Sequence, residues 1–482
     1  MSAPNCLRGL GLGLGLTRPV ALRNVAVTAA PCAAAAAAAS FSTSAYLQAI
    51  IARPKKKAVE VAFGHHRAGK KMKLSKFKKA NKGDRGKAPA PGERKAYRKR
   101  ILLSNNNAIP VAGLQDFAPE TMLDPSSAAK VLSIPDAVVD QLRTIEAFKT
   151  TQSWSIFRKP SMLVRAETVE LATRMQGAAA NKQALRLVAT GDKLTGKSML
   201  LLQAMTHGLL NDWIVLNIPE GQELTTASTE YAAIPGTANP VQYMQQNYAL
   251  RLIQNFRKAN EKVLVRLMTV FAHPELPQNI PVNSPLLQLA NSAKEPENAW
   301  PIFQALWKEL MAPGRGRPPV LFTLDGLPHI MKVSDYRSAT FEPVHAHDLA
   351  LVRLFSDCLS GAVAFPNGGA VIAATTRSNG PRTPSMELAL AQREAEQSKS
   401  VVPAPEAFVK YDERVAAALR TVQVMRLKGV SKLEARSLME YWAASGVFRT
   451  TVDEAVVTEK WTLGGSGILG EIERAALMTM RL

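Results

Sequence analysis

The sequence predicts an α/β protein: a parallel sheet with flanking helices, a small C-terminal helical or winged-helix lid, and a disordered basic N-terminal arm. Three observations carry that expectation. Apolar runs alternate with helix-spaced segments through the middle of the 482-residue chain, as buried parallel strands joined by crossover helices do. A glycine loop followed by a lysine and a hydroxyl residue interrupts the first strand–helix pair. The net charge of +21 is also unevenly placed. Residues 1–100 hold 22 Lys+Arg and 3 Asp+Glu and the remainder 38 and 36, so the arm carries +19 and the body +2.

The first 45 residues contain Arg8, Arg18 and Arg23 among Ala, Leu and Ser, and no acid before Glu60. That composition predicts a mitochondrial import signal. The rival, a secretory signal, would need the short, glycine-broken "LGLGLGL" as its core. Residues 46–100 read as a basic RNA-binding arm. From Pro54 to Arg100 there are 18 Lys+Arg against 3 acids, with Phe63, Phe77 and Tyr97 interleaved. Such a segment buries too little apolar surface to order alone and suits phosphate contacts with occasional base stacking. If about eight of these charges meet phosphates, log K falls with log salt at a slope of roughly −6 to −7. Of Cys6, Cys32 and Cys358, two precede the body, and the lone thiol left fits a reducing compartment. No apolar stretch reaches the ~20 residues of a membrane span, so no stable membrane insertion is expected.

Residues 101–183 are expected to be mostly helical, with an extended stretch before a helix from about Ala166. A strand over 184–190, a loop over 191–196 and a helix over 197–209 follow. Asp212–Pro219 and Pro318–Pro328 are further buried strands, the latter with Asp325 at its carboxyl end. Residues 239–312 between them read as largely helical. Gly368–Gly380 is a fourth strand segment ending in Thr375, Thr376 and Arg377. These elements define a nucleotide-binding domain over 184–380, then a linker over 381–405 and a lid over 406–482. The lid is expected to hold a helix over about 411–426. A second helix is opened by the capping box Ser431/Glu434, with Ala435, Leu438, Met439 and Trp442 on one face. A DNA-reading role for that helix is disfavoured by Glu434 and Glu440, which repel phosphate.

Gly191-Asp192-Lys193-Leu194-Thr195-Gly196-Lys197-Ser198 is the G-x-x-x-x-G-K-[ST] pattern of a phosphate loop. The glycines let successive N–H groups turn inward as an anion nest, at the positive end of the following helix. Lys197 reaches the β- and γ-phosphates, the Ser198 hydroxyl ligates Mg²⁺, and Met199 continues the wall. Asp325 is the second Mg²⁺ partner. Thr375 or Thr376 could sense the γ-phosphate. Many such ATPases place a glutamate directly after the metal-site aspartate as general base; here that position is Gly326. A missing base costs about 10²–10⁴ in rate, so nucleotide binding with slow or negligible turnover is expected. Neither a D-x-x-G switch nor an N-K-x-D guanine signature occurs, so the motifs do not reveal the base. His345–Asp348, "HAHD", has no third ligand nearby and is not read as a metal site. Trp461–Glu471, "WTLGGSGILGE", reads as a docking loop.

Over about residues 110–482, "GDKLTGKSMLLLQAM", "DWIVLNIPEGQELTTASTEYAAIPGTANPVQYMQQNYALRLIQNF", "PPVLFTLDGLPHIM" and "EKWTLGGSGILGEIERAAL" together resemble the death-associated protein three family. These are GTP-binding proteins of the mitochondrial small ribosomal subunit, here in fungal form. The resemblance implies an AAA-like P-loop domain with a winged-helix-type lid, in the subunit head. Its partners there would be small-subunit rRNA, ribosomal proteins of the head and possible large-subunit contacts. It implies GTP or GDP as cofactor, with ATP possible, held at Gly191, Gly196, Lys197 and Ser198 and, with Mg²⁺, at Asp325. An active AAA-type ATPase or RNA remodeller in the mitochondrial matrix is the competing function.

Overall fold

A computed structural model describes residues 101–478 apart from 238, 239 and 315. The expected import signal and the expected basic arm lie outside the described residues, which belong to one compact unit. Strand β1 (Val131–Ser133) leads into helix α1 (Asp136–Thr144) and pairs antiparallel with β2 (Ser161–Leu163). Helix α2 (Ala166–Ala180) then delivers the chain to β3 (Ala184–Gly191), and α3 (Lys197–Leu210) to β4 (Ile214–Ile218). After α4 (Gly221–Thr225), short strands β5 (Ala232–Ala233) and β6 (Tyr243–Met244) pair, and helices α5 (Gln246–Ala259), α6 (Glu261–Leu264), α7 (Leu286–Asn291) and α8 (Pro296–Leu310) follow. Then come β7 (Val320–Asp325), α9 (Leu327–Ile330), the pair β8 (Val333–Arg337) and β9 (Pro343–His345), α10 (Ala350–Ser360) and β10 (Gly369–Ala374). The chain closes with α11 (Pro384–Gln397), α12 (Glu413–Ala418), β11 (Gln423–Leu427), α13 (Lys432–Ala444), α14 (Glu454–Leu463) and α15 (Leu469–Glu473).

The main sheet runs β11-β3-β10-β7-β4, every pair parallel. Its strands read as continuous apolar runs because both faces are covered. Ile214, Leu216, Val320, Phe322, Val371 and Ala373 face one core, with helices α5, α7, α8 and α10. Val215, Leu321, Ala370, Ile372, Leu187 and Ala189 face the other, with α1, α2 and α3. Helix α3 is apolar nearly all round because it is buried from Leu200 to Leu209.

Four expectations are corrected. Residues 101–183 are not mostly helical, their α-helices being Asp136–Thr144 and Ala166–Ala180, and the linker expected over 381–405 holds helix α11. The helix expected over 411–426 is a helix only at Glu413–Ala418; Gln423–Leu427 is a strand on the edge of the sheet. Its burial pattern keeps Val424, Met425 and Leu427 inside, and pairing with β3 overrides any local preference. Helix α11 guards this edge: Gln397 Oε1 accepts from Val424 N at 3.2 Å, and Glu394 pairs with Arg426. The winged-helix form of the lid is not seen either. Among the described residues after Leu427 there are helices but no strand to make a wing. The tail is nevertheless anchored: Ala435, Met439 and Trp442 pack with Val457, Ile472 and Ala476, and with Phe157 and Leu163 beside β2. The capping box forms as the sequence suggests, with Glu434 Oε2 accepting from Ser431 N at 2.7 Å. No helix among the described residues is long and apolar enough to cross a membrane.

Candidate nucleotide site

Parallel strands end on one edge of the sheet, and ligands of such sheets bind in the crevice beyond it. Register places three segments in a row there: Ala374 lies opposite both Ala189 of β3 and Asp325 of β7. Thr375 therefore sits between the Gly191–Ser198 loop and Asp325. A cavity of about 380 Å³ opens over this row, within the size range of ligand pockets. Lys193, Leu194, Gly196, Lys197, Ser198, Met199, Asp325 and Thr375 all line it.

The loop is built tightly. Gly191 has φ +143°, and a Cβ there would lie 2.6 Å from the carbonyl of Leu427, so β11 closes directly on it. Thr195 Oγ1 donates to Asp192 O at 2.9 Å, while the Asp192 carboxylate turns outward and pairs with Arg377 at 3.1 Å. Leu194 O accepts from Gly470 N at 3.1 Å, so the glycine-rich "WTLGGSGILGE" does dock, and does so on this loop. Gly196 takes a left-handed conformation and α3 begins at Lys197. The loop and the start of α3 thus border the cavity, where the amides of such a loop can bind an anion.

Lys197 is buried, and its Nζ donates to Gly191 O at 3.0 Å and Asp192 O at 2.5 Å. Burial, reinforced by the charge of Arg377, pulls its ammonium down to about 8. An arriving phosphate would favour the ammonium. Nucleotide affinity is therefore expected to be flat below pH about 8. Above it, affinity falls by up to about tenfold per pH unit, because binding must then protonate the amine. Titration calorimetry from pH 7 to 10 reads this, since phosphate groups (pKa near ~6) no longer change charge there.

Ser198 Oγ donates to Asp325 Oδ2 at 2.6 Å. These are the two hard oxygens that a Mg²⁺ ion beside a bound phosphate would need, here joined to each other by a hydrogen bond. Thr375 Oγ1 donates to Ala189 O of β3 at 3.2 Å, and Thr376 contacts Asn379 and Ser378 in its own loop, so both hydroxyls already have partners. A glutamate at Gly326 would be strained: its φ is +87°, and a Cβ there would meet His329 Cδ2 at 3.3 Å and Gly221 N at 3.5 Å.

Other contributors have no local sequence signal. Arg165, buried before α2, donates to Thr195 O at 3.0 Å and Lys428 O at 2.8 Å, tying the loop to the end of β11. Lys149, in the loop after α1, contacts the same Oδ2 of Asp325 that Ser198 does. Trp154, Phe157, Leu438, Tyr441 and Trp442 form an aromatic and aliphatic wall. Far from this cavity, His345 of "HAHD" pairs with Asp412 at 3.0 Å.

The chain is 58% identical to the small ribosomal subunit protein mS29 of Neurospora crassa over 414 residues, covering 85% of this chain and 88% of that protein. It is 24% identical to the small ribosomal subunit protein mS29 of Schizosaccharomyces pombe over 361 residues, 73% and 72% of the two chains. The family model described as mitochondrial ribosomal death-associated protein 3 matches residues 162–475, from β2 through α15. The chain belongs to the mitochondrial ribosomal death-associated protein 3 family.

Proposed function

We propose that this chain is a structural component of the mitochondrial small ribosomal subunit that keeps a purine nucleotide, GTP or GDP, in the Gly191–Ser198 loop. It works in the mitochondrial ribosome of the matrix, with rRNA and ribosomal proteins as partners. A position in the subunit head, contacts with the large subunit and RNA binding by residues 46–100 belong to the same proposal.

One observation carries the nucleotide part: the amide concavity, Lys197, Ser198 and Asp325 stand in one row beneath a ligand-sized cavity. A Mg²⁺ ion here would need Ser198 and Asp325, and the Asp325 oxygen that faces Ser198 also meets the Lys149 ammonium. Position 326 carries no carboxylate to activate water, and its φ of +87° strains any side chain there, so the nucleotide serves to stabilise the fold. The second reading, an active ATPase, draws on Glu220, an exposed carboxylate that lines the cavity beyond β4.

Gradient sedimentation of a mitochondrial lysate tests the proposal. The chain is expected with small subunits, and denaturing that fraction releases guanine nucleotide in an amount that falls in a Lys197→Met strain. Migration as free protein defeats the ribosomal role. Rapid single-turnover hydrolysis abolished by Glu220→Gln favours the ATPase.

A further inference from the structure

The contact between Lys149 and Asp325 goes beyond a binding loop. Asp325 Oδ2 accepts from Ser198 Oγ at 2.6 Å and from the Lys149 ammonium. The Asp325 side chain is 8% exposed and that of Lys149 25%. Lys197 Nζ is hydrogen-bonded to the carbonyls of Gly191 and Asp192 and not to this carboxylate. Lys149 is also held in place. Its backbone N–H donates to Gln152 Oε1 at 2.8 Å, and the same oxygen accepts from Trp154 Nε1 at 2.6 Å. Phe148 and Trp154 are buried and meet edge to face at 5.3 Å, which pins both ends of the turn.

We infer that Lys149 is a nucleotide-binding residue that takes the place of a divalent cation at Asp325, so that the site holds a polyphosphate without metal. This rests on the nucleotide reading above. The chemistry turns on one carboxylate. A divalent ion seated between Ser198 Oγ and Asp325 would take the oxygen that faces Ser198, which is Oδ2. An ammonium on Oδ2 repels that ion and supplies a positive charge in its stead. An ammonium has three donors, so one can stay on Asp325 while another meets a phosphate oxygen above Ser198. Mg²⁺ and Lys149 thus compete for the same carboxylate.

The test is the affinity of the purified full chain for GDP and GTP, measured by calorimetry in EDTA and in excess Mg²⁺. The parent is expected to change by less than about threefold between the two. Lys149→Met should bind about 10- to 100-fold more weakly in EDTA, the loss of one charge-assisted contact, and recover in Mg²⁺. Lys149→Arg should keep binding in EDTA, and circular dichroism confirms that the variants are folded. A parent that loses affinity in EDTA by orders of magnitude overturns the inference, as does Lys149→Met behaving like the parent. A folded parent that binds neither nucleotide in either buffer overturns the nucleotide reading itself.

Discussion

Replacing Glu309 by alanine is expected to destabilise the protein by about 3–5 kcal/mol, the usual effect of removing one partner from a buried ion pair. The side chain is fully buried at the end of α8. Its oxygens accept from Val270 N at 2.9 Å, Phe271 N at 2.7 Å and Arg317 Nη2 at 2.7 Å, with His273 Nε2 at 3.1 Å. One carboxylate therefore fixes the loop after α6 and the segment that enters β7. Alanine would strip the carboxylate from a buried guanidinium and leave two amides without their acceptor. Glutamine keeps the volume and one acceptor oxygen, so Glu309→Gln should cost less. The double replacement Glu309→Met with Arg317→Met should recover much of the loss, because apolar side chains avoid the desolvation of both ions. Urea midpoints of the three variants measure this. A loss below about 1 kcal/mol in Glu309→Ala, within the range of exposed pairs, would mean that the cluster does not brace the fold.

What the sequence disclosed depended on how local each signal is. The strands at 184–191, 214–218, 320–325 and 369–374 stood out because each is apolar on both faces, which only a doubly covered sheet requires. Strand β11 did not. "QVMRL" alternates weakly, follows a helix-like alanine run, and becomes a strand through pairing with β3, far away in the chain. The glycine loop was legible because an anion nest needs fixed residues within eight positions. Lys149 and Arg165 were not, since their roles depend on folding that brings loops before β3 to Asp325 and Thr195. Gly326 lies between these cases. The missing glutamate was visible in the sequence, but the left-handed backbone at Gly326 that disfavours it was not.

Lys197→Met is expected to change stability in opposite senses with and without nucleotide. In the free protein the buried ammonium is held below its ordinary range by desolvation, so an apolar side chain of similar length leaves the fold at least as stable. In the complex the ammonium contributes charge-assisted bonds to phosphate, and losing them weakens binding by about 10²-fold. For a parent Kd near ~1 μM and ~1 mM nucleotide, linkage stabilises the fold by about 4 kcal/mol; at a Kd near ~100 μM this falls to about 1 kcal/mol. For a body of this size those figures correspond to shifts in Tm of about 5 °C and about 1–2 °C. Thermal melts of the full chain with and without GDP separate the alternatives. A lysine kept only for packing would lower Tm in both melts and leave the nucleotide shift intact. A lysine kept for phosphate loses the shift alone, because the desolvation that burdens it in the free protein is offset only when an anion arrives beside it.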